Sequence, residues 1–196
     1  MGWTTQNAGR GPARAWVGAN GSLSARLAAA GQVFSVQLLA QGHQALSLDE
    51  SRALGLPQVQ AGYVREVVLR VDGLAVVFAR SVTPYAASNG PWRAIRGLGL
   101  RPLADVLFTR QGISRSPLAF TGLKPSSRWR HQVAHGWQQA GGGALALGAL
   151  PARRSVFTRS GAPLLVMEVF ASPQQPWAWP VSRRVSGPVV QLKRKP

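Results

Sequence analysis

Alternation of apolar and polar positions is clearest between residues 63 and 83. Two runs rich in β-branched and aromatic residues, Tyr63–Val71 and Leu74–Thr83, flank Asp72-Gly73. Asp-Gly between such runs predicts a hairpin closed by a two-residue type I′ turn. A second pair, Ser155–Arg159 and Pro163–Phe170, surrounds Ser160-Gly161 and predicts another hairpin. Val33–Ala40 reads as a further strand. Ser22 followed by Leu23, Leu27 and an alanine run reads as a capped helix ending at Gly31. Pro91–Leu98 reads as helical, and Pro102 at the first helical position opens a helix through Leu103, Val106 and Leu107. Residues 1–14 lack periodicity and read as a loose tail. Residues 110–150, with Trp129, Trp137 and a triple glycine at 141–143, read as a mobile loop or flap. The expected organisation is one domain over 15–172 and a Pro-rich, basic extension over 173–196. Helices beside adjacent antiparallel hairpins, with no alternating βαβ units, predict an α+β fold.

Composition narrows the function. The chain has 196 residues, 45% of them hydrophobic, enough for one domain with a real core. No apolar run approaches the ~18 residues of a membrane span, and the first residues lack the pattern of a signal peptide. The absence of cysteine excludes disulfides, thiol catalysis and Cys-ligated metals, and fits a cytoplasmic protein. Lys and Arg number 23 against 6 Asp and Glu, a net charge of +17. That balance keeps a nucleic-acid or anionic-surface partner as an alternative. The arginines are scattered, however, and no nucleic-acid partner is expected. The acids are Asp49, Glu50, Glu66, Asp72, Asp105 and Glu168, and the histidines His43, His131 and His135.

Side chains alternate along a strand. In the first hairpin Arg65 falls on the apolar face with Tyr63, Val67 and Leu69, and Arg80 with Val76, Phe78 and Val82. If Asp72-Gly73 is the loop and pairing is regular, residue 71 opposes 74, 67 opposes 78, and Arg65 opposes Arg80. Two inward arginines face to face are destabilising without an anion between them. Glu168, in the doubly apolar strand Leu164–Phe170, is the natural partner. A structural ion pair of Glu168 with Arg65, Arg80 or cross-strand Arg153 is the simple alternative. One carboxylate cannot neutralise two arginines, so an anionic ligand, best a carboxylate, is expected. The backbone N–H groups of Leu103 and Leu23, at the starts of their helices, could assist. His131 and His135 lie at i, i+4 but lack a nearby acid, so no metal is expected. Arg128-Trp129-Arg130-His131 could stack on bases but reads more simply as a solvated face.

Several ordered blocks resemble the chorismate pyruvate-lyases of ubiquinone biosynthesis. They are Tyr63-Val64-Arg65-Glu66-Val67-Val68-Leu69, Val71-Asp72-Gly73, and Ala79-Arg80-Ser81-Val82-Thr83-Pro84. Leu98-Gly99-Leu100-Arg101-Pro102-Leu103-Ala104-Asp105-Val106-Leu107-Phe108 is similar to the family's Leu-Gly-x-x-Pro-Leu-Gly-x-x-Leu-Phe pattern. Arg153-Arg154-Ser155 and the segment Ser160–Phe170 complete the set, which covers residues ~20–172. The resemblance implies a cofactor-free lyase that converts chorismate to 4-hydroxybenzoate and pyruvate. It also implies an antiparallel sheet with helices and flaps enclosing the ligand. By the same resemblance Arg65 binds the ring carboxylate, helped by the N–H groups of Leu103 and Leu23. Glu168 meets the 4-hydroxyl, and Arg80 completes the charged site on the enolpyruvyl side. A monomer is expected. The rival from another class is a non-catalytic, carboxylate-sensing domain of the same fold, which would leave chorismate intact.

Overall fold

The computed structural model describes residues 2–109 and 111–173, so the extension expected at 173–196 lies, beyond Pro173, outside the described residues. In chain order the elements are α1 (Ala13–Val17), α2 (Leu23–Ala28), β1 (Phe34–Ala45), α3 (Leu48–Ala53), β2 (Ala61–Val71) and β3 (Leu74–Pro84). They continue with α4 (Ala104–Leu107), β4 (Ile113–Arg115), β5 (Ala119–Leu123), α5 (Arg128–Gln139), β6 (Leu150–Arg159) and β7 (Ala162–Phe170). Arg93–Gly97, expected as a helix, is a 3₁₀ segment. The strands form one antiparallel sheet in the order β1-β2-β3-β7-β6-β4, with β5 also on β6. This is an α+β fold.

Both predicted hairpins form. Asp72 and Gly73 have φ of 49° and 79°, and Ser160 and Gly161 48° and 74°, the left-handed pairs a type I′ turn requires. Asp72 also accepts hydrogen bonds from the N–H groups of Gln32 (2.8 Å) and Val33 (2.7 Å), tying the start of β1 to the turn. Asp72→Ala loses both and places alanine at positive φ. It is expected to cost about 2 kcal/mol, a fall in Tm of roughly 4–8 °C. Asp72→Asn, which tolerates that backbone, should fall less in the same melt.

Register near the first turn starts as expected, with Val71 opposite Leu74 and Arg70 opposite Ala75. It then shifts, so that Leu69 opposes Val77 and Val76 is the extra residue of a bulge. One inserted residue exchanges the faces of everything beyond it. Arg65 therefore pairs with Ser81, and Arg80 with Glu66. The expected Arg65–Arg80 opposition is corrected: the two arginines leave opposite faces of the sheet. Val67-Val68-Leu69 and Val76-Val77-Phe78 are apolar on both faces, so hydrophobic pattern alone does not pin this register.

One face carries Arg65, Val67, Ala79, Ser81, Val166 and Glu168 across β2, β3 and β7. At one end it packs under α1 and α2 through Trp16, Val17, Leu23 and Leu27. At the other it packs under Trp92, Ile95, Leu98, Val106 and Leu107. The opposite face buries Val68, Phe78, Met167 and Val169 against Trp129, Val133 and Trp137 of α5. Gly136 lets α5 approach this closely: a Cβ there would lie 2.9 Å from the Phe78 ring and 2.8 Å from Leu39.

Two further expectations are corrected. Most of 110–150 is regular rather than a flap: it holds β4, β5 and α5, the last capped by Ser127 accepting from the Arg130 N–H. The helix is carried by Trp129, Val133 and Trp137 at i, i+4 and i+8 on one buried face. Residues 1–14 are not wholly loose either. Thr4 exchanges backbone bonds with Phe120 (2.9 and 2.7 Å), Trp3 donates to Asp49 (3.2 Å), and α1 begins at Ala13. Pairing onto the free side of β5 leaves no trace in composition.

Candidate active site

Between α2, α4 and the first sheet face lies a cavity of about 50 Å³. Leu23 and Ser24 of α2 wall one side, Leu103, Ala104 and Leu107 the other, and Arg65, Ser81 and Glu168 form part of the floor. All five expected site residues line this one cavity: Leu23, Arg65, Arg80, Leu103 and Glu168.

The backbone supports the two helix starts. Ser22 caps α2 by accepting from the Ala25 N–H (3.1 Å), which holds Leu23 in the first turn. α4 starts two residues later than expected, at Ala104, with Leu103 as its N-cap. Among the described residues neither the Leu23 nor the Leu103 N–H donates to a backbone carbonyl.

Arg65 is 3% exposed. Its Nη2 donates to the carbonyls of Gly99 and Arg101, each at 3.0 Å, and its buried Nε has no partner. No carboxylate of the described residues pairs with it. Burial pushes the guanidinium below the usual arginine range, and Tyr63 opposes this. A buried cation with neutral partners and a spare donor is an anion receptor.

Glu168 faces the same cavity. Its Oε2 accepts from the Nε of Arg153 (2.6 Å), the cross-strand partner anticipated from sequence. Arg153, 1% exposed, also donates to the carbonyls of Val17 (3.2 Å) and Ala19 (2.6 Å) after α1. Glu168 is thereby locked in place with its charge partly met.

Arg80 lines the cavity, but its guanidinium turns to the α5 face and meets Glu50 (2.7 Å) and Glu66 (2.7 Å). It lies over the Trp129 ring at 5.5 Å, and Gln132 donates to the same Glu66 oxygen. Burial lowers its pKa, but the two carboxylates outweigh this and raise it. The Arg80 guanidinium, expected to face Arg65, is instead the centre of a buried ion network, because the bulge at Val76 reverses its face.

One cavity residue was not anticipated. Arg115 of β4 lines the cavity beside Phe157 and Glu168. Flanked by Gly112, Ser116 and Pro117, it looks like loop surface in the sequence. No signal there marks it, because β4 has only three residues. His131 and His135 are exposed on α5. Among the described residues no three His, Asp or Glu side chains gather as a metal site would need.

The chorismate lyase family model matches residues 10–178. This chain belongs to the chorismate lyase family. A probable chorismate pyruvate-lyase of Albidiferax ferrireducens is 61% identical over 99% of this chain and 98% of its own length. One of Cupriavidus metallidurans is 40% identical over 80% of this chain and 72% of its own. Among solved structures, PhnF from Mycobacterium smegmatis matches with a TM-score of 0.55 at 18% identity, covering 79% of this chain and 65% of that one. The PhnF C-terminal domain matches at 0.52 and 14%, covering 71% and 83%. At those identities the likeness is one of fold. No helix of the described residues is long and apolar enough to cross a membrane.

Proposed function

We infer that the chain is a chorismate pyruvate-lyase, releasing pyruvate from chorismate to leave 4-hydroxybenzoate. The observation that carries this reading is Arg65, a buried guanidinium with a free Nε and no carboxylate partner at a small cavity of a chorismate lyase family member. Arg65 would bind the ring carboxylate as a charge-assisted fork, joined by the N–H groups of Leu103 and Leu23. Glu168, held through one oxygen by Arg153, would present the other to the ring's 4-hydroxyl.

The reaction breaks the C4–H and C3–O bonds, aromatises the ring and releases enolpyruvate, which takes up a proton and becomes pyruvate. Aromatisation supplies the drive. The protein's share is to hold the ring, exclude water and stabilise charge developing on the leaving oxygen. Glu168 would orient the hydroxyl and, among the described residues, is the one carboxylate lining the cavity and so able to move a proton there. The domain over 15–172 would act as a monomer in the cytoplasm.

The test is incubation with chorismate, following 4-hydroxybenzoate and pyruvate together. Stoichiometric formation of both is expected. Glu168→Gln, which keeps the shape and a hydrogen bond but cannot take a proton, is expected to lower kcat about 10²-fold with 4-hydroxybenzoate still bound. Intact chorismate with folded wild-type protein would sink the lyase reading and leave a carboxylate-sensing domain.

A further inference from the structure

The substrate of the reaction just inferred carries two carboxylates, and its aromatic product carries one. Arg65 serves the carboxylate common to both. With the Arg80 guanidinium held on the other face by Glu50 and Glu66, the carboxylate that departs with pyruvate lacks the partner expected for it. Chorismate's second negative charge would then enter a mostly apolar cavity unpaired, which is strongly unfavourable.

The cavity supplies another cation. The half-buried Arg115 guanidinium is held by neutral groups only: Nε donates to the Ser155 hydroxyl (2.9 Å), and Nη1 reaches the Gly21 carbonyl at 3.4 Å. It lies over the Phe157 ring at 5.1 Å, a cation–π contact that holds it beside the cavity. Among the described residues no carboxylate forms an ion pair with it. Glu168 is close enough to act on its charge. Burial and Arg153 push the guanidinium below the usual arginine range, while Glu168 opposes them. An added anion at Arg115 would relieve that burial. The long bond to Gly21 is the contact a ligand carboxylate would displace.

We propose that Arg115 binds the enolpyruvyl carboxylate, and so recognises substrate but not product. This rests on the lyase reading. It also separates binding of the ring, by Arg65, from binding of the leaving group. Because the departing fragment takes its carboxylate to Arg115, negative charge developing beside it in the transition state meets the same guanidinium.

The test compares Arg115→Met and Arg115→Lys with wild type for turnover of chorismate and for 4-hydroxybenzoate binding by titration. Arg115→Met is expected to lower kcat/KM about 10²-fold, the size of one charge-assisted bond pair. Its affinity for 4-hydroxybenzoate should stay within about twofold. Arg115→Lys should recover part of the loss, since the charge remains but the fork does not. Equal loss of substrate turnover and product affinity would make Arg115 a strut for Ser155 and Gly21 and overturn the proposal. Unchanged kcat/KM in Arg115→Met would overturn it too. If wild type leaves chorismate intact, the lyase reading fails separately. Titrations of chorismate and of 4-hydroxybenzoate then read Arg115 directly, and selective loss of chorismate affinity in Arg115→Met is the supporting result.

Discussion

Arg65→Met is expected to reduce kcat/KM for chorismate about 10³-fold or more and to abolish measurable 4-hydroxybenzoate binding, without a large loss of stability. Two charge-assisted bonds to a carboxylate account for roughly 3–6 kcal/mol, and each 1.36 kcal/mol is tenfold in rate. Stability follows a different account. In the empty protein Arg65 is a buried charge facing only carbonyls, so replacing it with an apolar chain of similar length removes a desolvation cost. Against this, the carbonyls of Gly99 and Arg101 lose a donor. The two effects are of similar size, and Tm should move by less than about 5 °C. A residue kept for binding at no gain in stability is the signature of a ligand site. Retention of product affinity in Arg65→Met would remove Arg65 from the site.

For Arg80→Met the opposite outcome is expected. Glu50 is 2% exposed and Glu66 half-buried, and both lose their cation. Breaking a buried pair from one side costs about 3–5 kcal/mol, here a fall in Tm of roughly 6–20 °C. Activity per folded molecule should fall less than tenfold. Adding Glu50→Gln and Glu66→Gln to Arg80→Met should recover part of the melting temperature, since the network couples the three. A stable but inactive Arg80→Met would return its guanidinium to the chemistry.

The contrast between these arginines shows how far sequence could be read. Arg65 and Glu168 were legible because a charged residue inside an otherwise apolar strand needs a reason, and the turn at Asp72-Gly73 set their strands. Arg80 was misplaced because alternation counts residues, and Val76 adds one within a run apolar on both sides. Arg115 was missed because three residues of strand between Gly112 and Pro117 carry no periodicity. α5 was missed for a different reason. Its buried stripe of Trp129, Val133 and Trp137 is interrupted by Gly136, which reads as a helix breaker until Phe78 is seen against it. Leu23 and Leu103 were legible through Ser22 and Pro102, which fix helix starts locally.

The strand order has a consequence for synthesis. β1, β2 and β3 pair with near neighbours, but β3's other partner is β7, with Thr83 and Pro163 80 residues apart where they meet. A nascent chain therefore carries β3 as a bare edge while those residues are translated, about 4–16 s at ~5–20 residues per second. Such an edge invites pairing with other chains. Glu168 and Arg153 arrive on the strands that end this interval, so the ligand pocket and the protection of the sheet are completed in the same step.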